Sequence, residues 1–209
     1  MAKKIIITIA RQYGSGGREI GETVAKILGI PLFDKQLITD AAAKGNLHEE
    51  VIKKTDESAA NSLLYTLAMG SNVVGTSMHF GYKMPINDKL FILQSEVIKN
   101  YAQLGSCVII GRCSDYVLRE EENVFRIFIY GDLEHRKARV QMRHPEIKST
   151  QIMDVINKTD KRRASYYNFY TGNKWGKYDN YDIAINSSTL GIQGTAEMIA
   201  SCARQLMED

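Results

Sequence analysis

The chain has 209 residues, 44% of them hydrophobic, and 27 Lys and Arg against 24 Asp and Glu, for a formal charge of +3. That length carries one α/β domain with its own core, and so slight a basic excess argues against a nucleic-acid polymer as partner. Cys107, Cys113 and Cys202 show no C-x-x-C or Cys/His spacing, which argues against a zinc site and suits a reducing cytoplasm, and no apolar run approaches the length of a membrane span.

In chain order, Ile5–Ile9 (IIITI) reads as the first strand. A glycine-rich turn follows, then Arg18–Leu28, with Ile20, Val24, Ile27 and Leu28 at helical spacing and Gly29 as a stop. Ile30–Phe33 (IPLF) is a short second strand. Residues from about 37 to 104 carry no strong strand and read as a helical insertion. Cys107–Ile110 (CVII) and Val124–Tyr130 (VFRIFIY) are dense in β-branched residues, as parallel strands buried on both faces are. Residues 133–170 read as helical and rich in cations. Tyr181–Ile185 (YDIAI) completes five strands, with Asn186-Ser187-Ser188 as the loop after it, and Leu190–Met207 is a last amphipathic helix. A strand, a crossover helix and a parallel strand make a βαβ unit.

The turn Gly14-Ser15-Gly16-Gly17 is richer in glycine than a strand-to-helix connection needs. Glycine permits positive φ and close backbone approach, and the helix behind the turn aims its positive end at an anion. The consensus phosphate loop, G-x-x-x-x-G-K-[ST], places a lysine where this chain has Gly17. Arg18, one position later, and Arg11, at the loop's first position, are candidates to supply the charge. Ser15 is a candidate for a phosphate or a Mg²⁺-bound water, or simply a small loop residue. A dinucleotide fingerprint also fits Gly14-x-Gly16 with Asp34 downstream, but Glu19 occupies the place of its third glycine.

Taken together, ITIARQYGSGGREIG, IPLFDKQLI, VIIGRCSDYVL, DKRRASYYNFYTGNKWG and YDIAINSS resemble the cytidylate-kinase-like family of divergent P-loop nucleoside monophosphate kinases. The resemblance covers nearly the whole chain and is weakest over residues 45–100. It implies a P-loop NTPase-type three-layer α/β fold: a parallel five-stranded sheet flanked by helices, with a helical acceptor-binding insertion and a lid. Residues 1–36 and 105–209 would form the core of a single kinase-like domain, about 37–104 the insertion and about 136–165 the lid. The implied activity is transfer of the ATP γ-phosphate to a nucleoside monophosphate, CMP or dCMP, with Mg²⁺. A non-catalytic nucleotide-binding module and a kinase for another small acceptor are the alternatives. Two residues depart from the better-known cytidylate kinases: Gly17 replaces the loop lysine, and Cys113 replaces the aspartate after Gly111-Arg112.

Phosphoryl transfer needs several cations converging on two anions. Arg136, Arg139 and Arg143 share one helix face, and Lys158, Lys161, Arg162 and Arg163 follow. Arg139, Lys161 and Arg163 are the lid candidates, with Arg18, for stabilising the transferring group. Asp160 would orient one of them or contact the acceptor. Arg112 matches the family's acceptor-phosphate arginine. Asp34 is an acceptor or Mg²⁺ candidate, and serves equally well as a helix N-cap. Tyr166, Tyr167, Phe169, Tyr170 and Trp175 form an aromatic run that could stack on a base and reads more readily as packing at a helix end.

Overall fold

A computed structural model describes residues 3–34, 37, 40 and 86–208. Most of the expected insertion therefore lies outside the described residues. Numbered within the described part, the elements are β1 (Ile6–Arg11), α1 (Gly17–Leu28), β2 (Leu32–Phe33), α2 (Ile86–Leu104), β3 (Cys107–Ile110), α3 (Ser114–Val117), β4 (Val124–Tyr130), α4 (Leu133–Arg143), α5 (Ser149–Thr171), β5 (Ile183–Asn186) and α6 (Ser187–Glu208). The five strands run in the order β2-β3-β1-β4-β5, every neighbouring pair parallel.

The alternation of β1 builds the two faces of the sheet. Ile5, Ile7 and Ile9 pack with Ile20 and Val24 of α1 and with Ala196, Ile199 and Ala203 of α6. Ile6 turns to the other face, against Leu90, Val97 and Ile98 of α2 and Val117 and Leu118 near α3. Each isoleucine so buried contributes roughly 1.5–3 kcal/mol. β1 lies between β3 and β4, and the chain leaves β1 and β4 toward opposite edges of the sheet. In a parallel α/β sheet such a reversal opens a crevice beyond the carboxyl ends of the strands. Arg11 ends β1 at that crevice.

The structure shifts several expected boundaries, each for a local reason. β2 begins at Leu32, because the Ile30 N–H is taken by the carbonyl of Ala25 at 3.0 Å in the cap of α1, and Pro31 has no N–H to offer. β5 begins at Ile183: the Asp182 N–H still donates to the Arg126 carbonyl at 2.8 Å, but the Arg126 N–H goes to the Asp182 carboxylate at 2.6 Å instead of to a strand carbonyl. The helical run over 133–170 is two helices, broken before Pro145, where His144 leaves the helical region (φ −130°, ψ 66°). Asn186-Ser187-Ser188 is not a free loop, since Asn186 ends β5 and α6 starts at Ser187. That helix is kinked at Gly191 (φ 68°, ψ −175°).

Candidate active site

The β1–α1 loop turns through two left-handed glycines, Gly14 (φ 80°) and Gly16 (φ 77°). Neither tolerates a side chain. A Cβ on Gly14 would lie 2.8 Å from the Arg136 carbonyl oxygen, and one on Gly16 would lie 2.2 Å from Cδ1 of Ile192. Three helices fasten the loop. The Tyr13 N–H donates to Asp160 of α5 at 2.7 Å, and the Tyr13 carbonyl accepts from Nε of Arg136 of α4 at 2.7 Å. Arg136, almost fully buried, also pairs with Asp160. Ser187, at the head of α6, donates to the Ser15 carbonyl at 2.6 Å. The Ser15 side chain is fully buried and donates to the Gln12 carbonyl at 2.9 Å, so its hydroxyl shapes the loop instead of facing a ligand.

In front of the loop lies a cavity of about 230 Å³ lined by Arg11, Tyr13, Gly14, Gly16, Gly17, Arg18, Arg143 and Arg163, with Asp34 and Gln12. Among the described residues Asp34 is the one carboxylate on this wall. It stands 3.4 Å from Nε of Arg18, which also bonds Glu22 at 3.0 Å. Arg139 lies over Gly16 and bonds Glu19 at 2.5 Å; Arg143 reaches the same carboxylate. Arg163 of α5 donates from Nη1 to the Arg11 carbonyl at 3.0 Å and sits over the Tyr13 ring.

A second, smaller cavity of about 30 Å³ opens at the end of β3. Its lining includes Gly111, Arg112, Cys113, Asp115, Tyr167 and Trp175, and it shares Arg11 and Arg163 with the first. The turn there is left-handed through three residues in succession, Gly111 (φ 71°), Arg112 (φ 61°) and Cys113 (φ 54°). Asp115 is buried and accepts from the Tyr167 hydroxyl at 2.7 Å. Burial pushes its carboxyl above the ordinary 3.8, and the Tyr167 bond offsets part of that rise. Burial and the neighbouring carboxylate raise the Tyr167 phenol, which stays a donor. Burial also pushes the Cys107 thiol up to about 11, so it is no nucleophile.

The structure thus brings Arg11, Gly14, Gly16, Gly17, Arg18 and Arg163 to one cavity and Arg112 to its neighbour. Arg139 lies over Gly16 and lines neither cavity. Asp34 sits with Arg18 on the loop cavity, apart from Arg112. Asp160 lines neither cavity and orients none of the three lid candidates; it holds the loop through the Tyr13 N–H and the buried Arg136. Lys161 is exposed and lines neither cavity. Sequence reasoning passed over Arg143, although it shares a helix face with Arg136 and Arg139. It read Tyr167 only as part of an aromatic run and missed Asp115, which lies 52 positions away and carries no local signal.

A glycine cradle after the first strand of a 2-3-1-4-5 parallel sheet, faced by arginines, defines a P-loop kinase fold. Shikimate kinase from Bacteroides thetaiotaomicron has this fold. It is 13% identical, with 99% of this chain and 100% of that chain covered at a TM-score of 0.53. An uncharacterised protein from Eubacterium ventriosum is nearer, at 26% identity, 96% and 98% coverage and a TM-score of 0.70. The model of the cytidylate kinase-like family matches residues 6–189, and the chain belongs to that family. No curated protein matches the sequence. Among the described residues no helix is long and apolar enough to cross a membrane.

Proposed function

We propose that the protein is an ATP-dependent phosphotransferase that acts on a nucleoside monophosphate, CMP or dCMP. The observation that carries this reading is a pair of cavities that share two of their lining arginines. One is a glycine cradle suited to a polyphosphate, the other an arginine-lined pocket, and Arg11 and Arg163 border both. Five different arginines face the two cavities against Asp34 and Asp115, a balance that favours bringing two anions together.

The loop amides and the positive end of α1 would hold the outer phosphates of ATP. Arg112 would hold the acceptor's phosphate. An oxygen of that phosphate bonds to the γ-phosphorus, the bond to the β,γ-bridging oxygen breaks, and ADP departs with the electron pair. Arg163 and the lid arginines Arg139 and Arg143 would offset charge on the transferring oxygens, the two lid residues exchanging Glu19 for phosphate. Mg²⁺, when bound with ATP, would supply further charge neutralisation, and Asp34, the carboxylate on the loop cavity, would hold its water shell. These assignments, and a cytoplasmic location, are proposals of the same reading.

The test is ADP release from ATP and Mg²⁺ with a panel of nucleoside monophosphates, each omitted in turn. Turnover that requires CMP or dCMP is expected. ATP binding without turnover on any acceptor would favour a binding module, a reading that Gly17 in place of lysine supports. Turnover with an acceptor outside the panel would keep the chemistry and change the substrate.

A further inference from the structure

The consensus phosphate loop has glycine first and lysine seventh. This chain inverts both, with Arg11 first and Gly17 seventh. In the fold the two positions share one volume. A Cβ built on Gly17 would stand 2.6 Å from Cβ of Arg11 and 2.9 Å from its Cγ, closer than packed carbons approach. The stem of Arg11 fills the space into which a side chain at position 17 would grow. One of the two positions can carry a long cation, but not both.

A second glycine admits the other end of the same side chain. A Cβ on Gly111 would lie 2.2 Å from Nη1 of Arg11 and 3.3 Å from its Cζ. Arg11 therefore runs from the start of α1, past Gly17, to the end of β3, and it borders both cavities. Its carbonyl accepts from Arg163, which borders both as well. Arg18, the other candidate for the lysine's task, is half exposed and borders the loop cavity but not the smaller one.

We infer that Arg11 has exchanged places with the phosphate-loop lysine. Its guanidinium binds oxygens of the transferring phosphoryl group where the two cavities meet, and positions 17 and 111 are glycine so that it can lie there. This rests on the phosphotransferase reading above. A guanidinium offers a planar fork of donors to two phosphate oxygens at once, which an ammonium does not. Arg11 takes no proton and forms no covalent bond; it offsets charge while the acceptor oxygen replaces the bridging oxygen on phosphorus.

The experiment compares the wild type with Arg11→Gln, Gly17→Lys and the double variant Arg11→Gly/Gly17→Lys. Binding of β,γ-imido ATP is measured by calorimetry, and ADP release with CMP by a coupled assay. Arg11→Gln is expected to bind the analogue about tenfold more weakly and to transfer about a hundredfold more slowly. Gly17→Lys alone is expected to lose affinity, because the lysine meets an occupied volume. The double variant is expected to recover at least about tenfold over either single change. Should Gly17→Lys fail to fold by circular dichroism, Arg11→Lys replaces it and must exceed Arg11→Gln in affinity for the analogue; should Arg11→Gln fail, Arg11→Lys replaces it and must fall below the wild type. Wild-type behaviour in Arg11→Gln, or tighter binding by Gly17→Lys alone, overturns the exchange. A wild type that neither binds the analogue nor turns over refutes the phosphotransferase reading itself and takes the exchange with it. Binding without turnover leaves the calorimetric comparison to decide the exchange.

Discussion

Two turns leave the carboxyl edge of the sheet side by side, one after β1 and one after β3, and both run through left-handed backbone. The first does so on glycines, Gly14 and Gly16, where any Cβ would strike Arg136 or Ile192. The second has glycine only at Gly111 and keeps side chains at Arg112 (φ 61°) and Cys113 (φ 54°). A left-handed residue with a Cβ costs roughly 1–2 kcal/mol, so the second turn carries strain that the first avoids. What each turn presents explains the difference. The first offers its backbone, and a Cβ would get in the way. The second offers the Arg112 side chain to the cavity, while Cys113 is buried against Tyr166 and Tyr167. Side chains from three helices fasten the first turn, whereas the second closes on backbone bonds, Gly111 N–H to the Ile9 carbonyl at 3.0 Å and Ser114 N–H to the Gly111 carbonyl at 3.1 Å, and on the packing of Cys113.

That contrast is tested most severely at the fastener. Asp160→Ala would strip the buried Arg136 of its carboxylate and the Tyr13 N–H of its acceptor. A loss of about 3–5 kcal/mol is expected in urea unfolding, together with weaker nucleotide binding. A loss under about 1 kcal/mol would mean that the loop keeps its shape without α5. Next comes Gly16→Ala, which adds the left-handed penalty to a collision with Ile192. The two together cost about 2–4 kcal/mol, read in the same titration. The second turn should behave in the opposite way. Arg112→Gly exchanges a left-handed penalty of roughly 1–2 kcal/mol for the loss of the guanidinium's contacts and a freer unfolded chain, so stability should change by no more than about 2 kcal/mol. The KM for the acceptor should rise about tenfold to a hundredfold, with ATP affinity changed less. A large stability loss in Arg112→Gly would show that the guanidinium, and not packing, holds that turn.

How much of this was legible in the sequence follows the range of the interactions. The core strands were read from β-branched runs because both faces of a parallel sheet are buried, and the loop from glycines that one local backbone path demands. The ends of β2 and β5 were misjudged because a helix cap and the Asp182 side chain compete for the ladder's hydrogen bonds. Within the site, cations on one helix face could be grouped, but not sorted. Arg136 faces inward to the loop, Arg143 faces the cavity and Lys161 faces solvent, a matter of how α4 and α5 cross. Asp115 and Tyr167 could not be paired, since nothing in either segment points to the other. Arg11 was visible as a charge at the head of the loop. Its relation to Gly17 and Gly111 appears only when β1, α1 and β3 are packed.

The smallest effect concerns the charge beneath the second turn. Asp115 shares its cavity with Arg11, Arg112 and Arg163, yet burial outweighs every favourable partner and raises its carboxyl above 3.8. The sign follows from proton linkage. The folded chain binds this proton more tightly than the unfolded chain does, so protonation favours the fold. That contribution is fully present below 3.8 and is lost as pH rises through the elevated native value. At neutral pH the ionised carboxylate therefore opposes folding. Asn at this position cannot ionise, and its carbonyl oxygen can still accept from the Tyr167 hydroxyl. Asp115→Asn should thus raise the thermal midpoint at pH 7 and show no advantage near pH 3.8. A midpoint lowered at pH 7 would mean that the arginines in the cavity wall need the charge of Asp115 to stay together. The second turn would then depend on a polar fastener after all, as the first does.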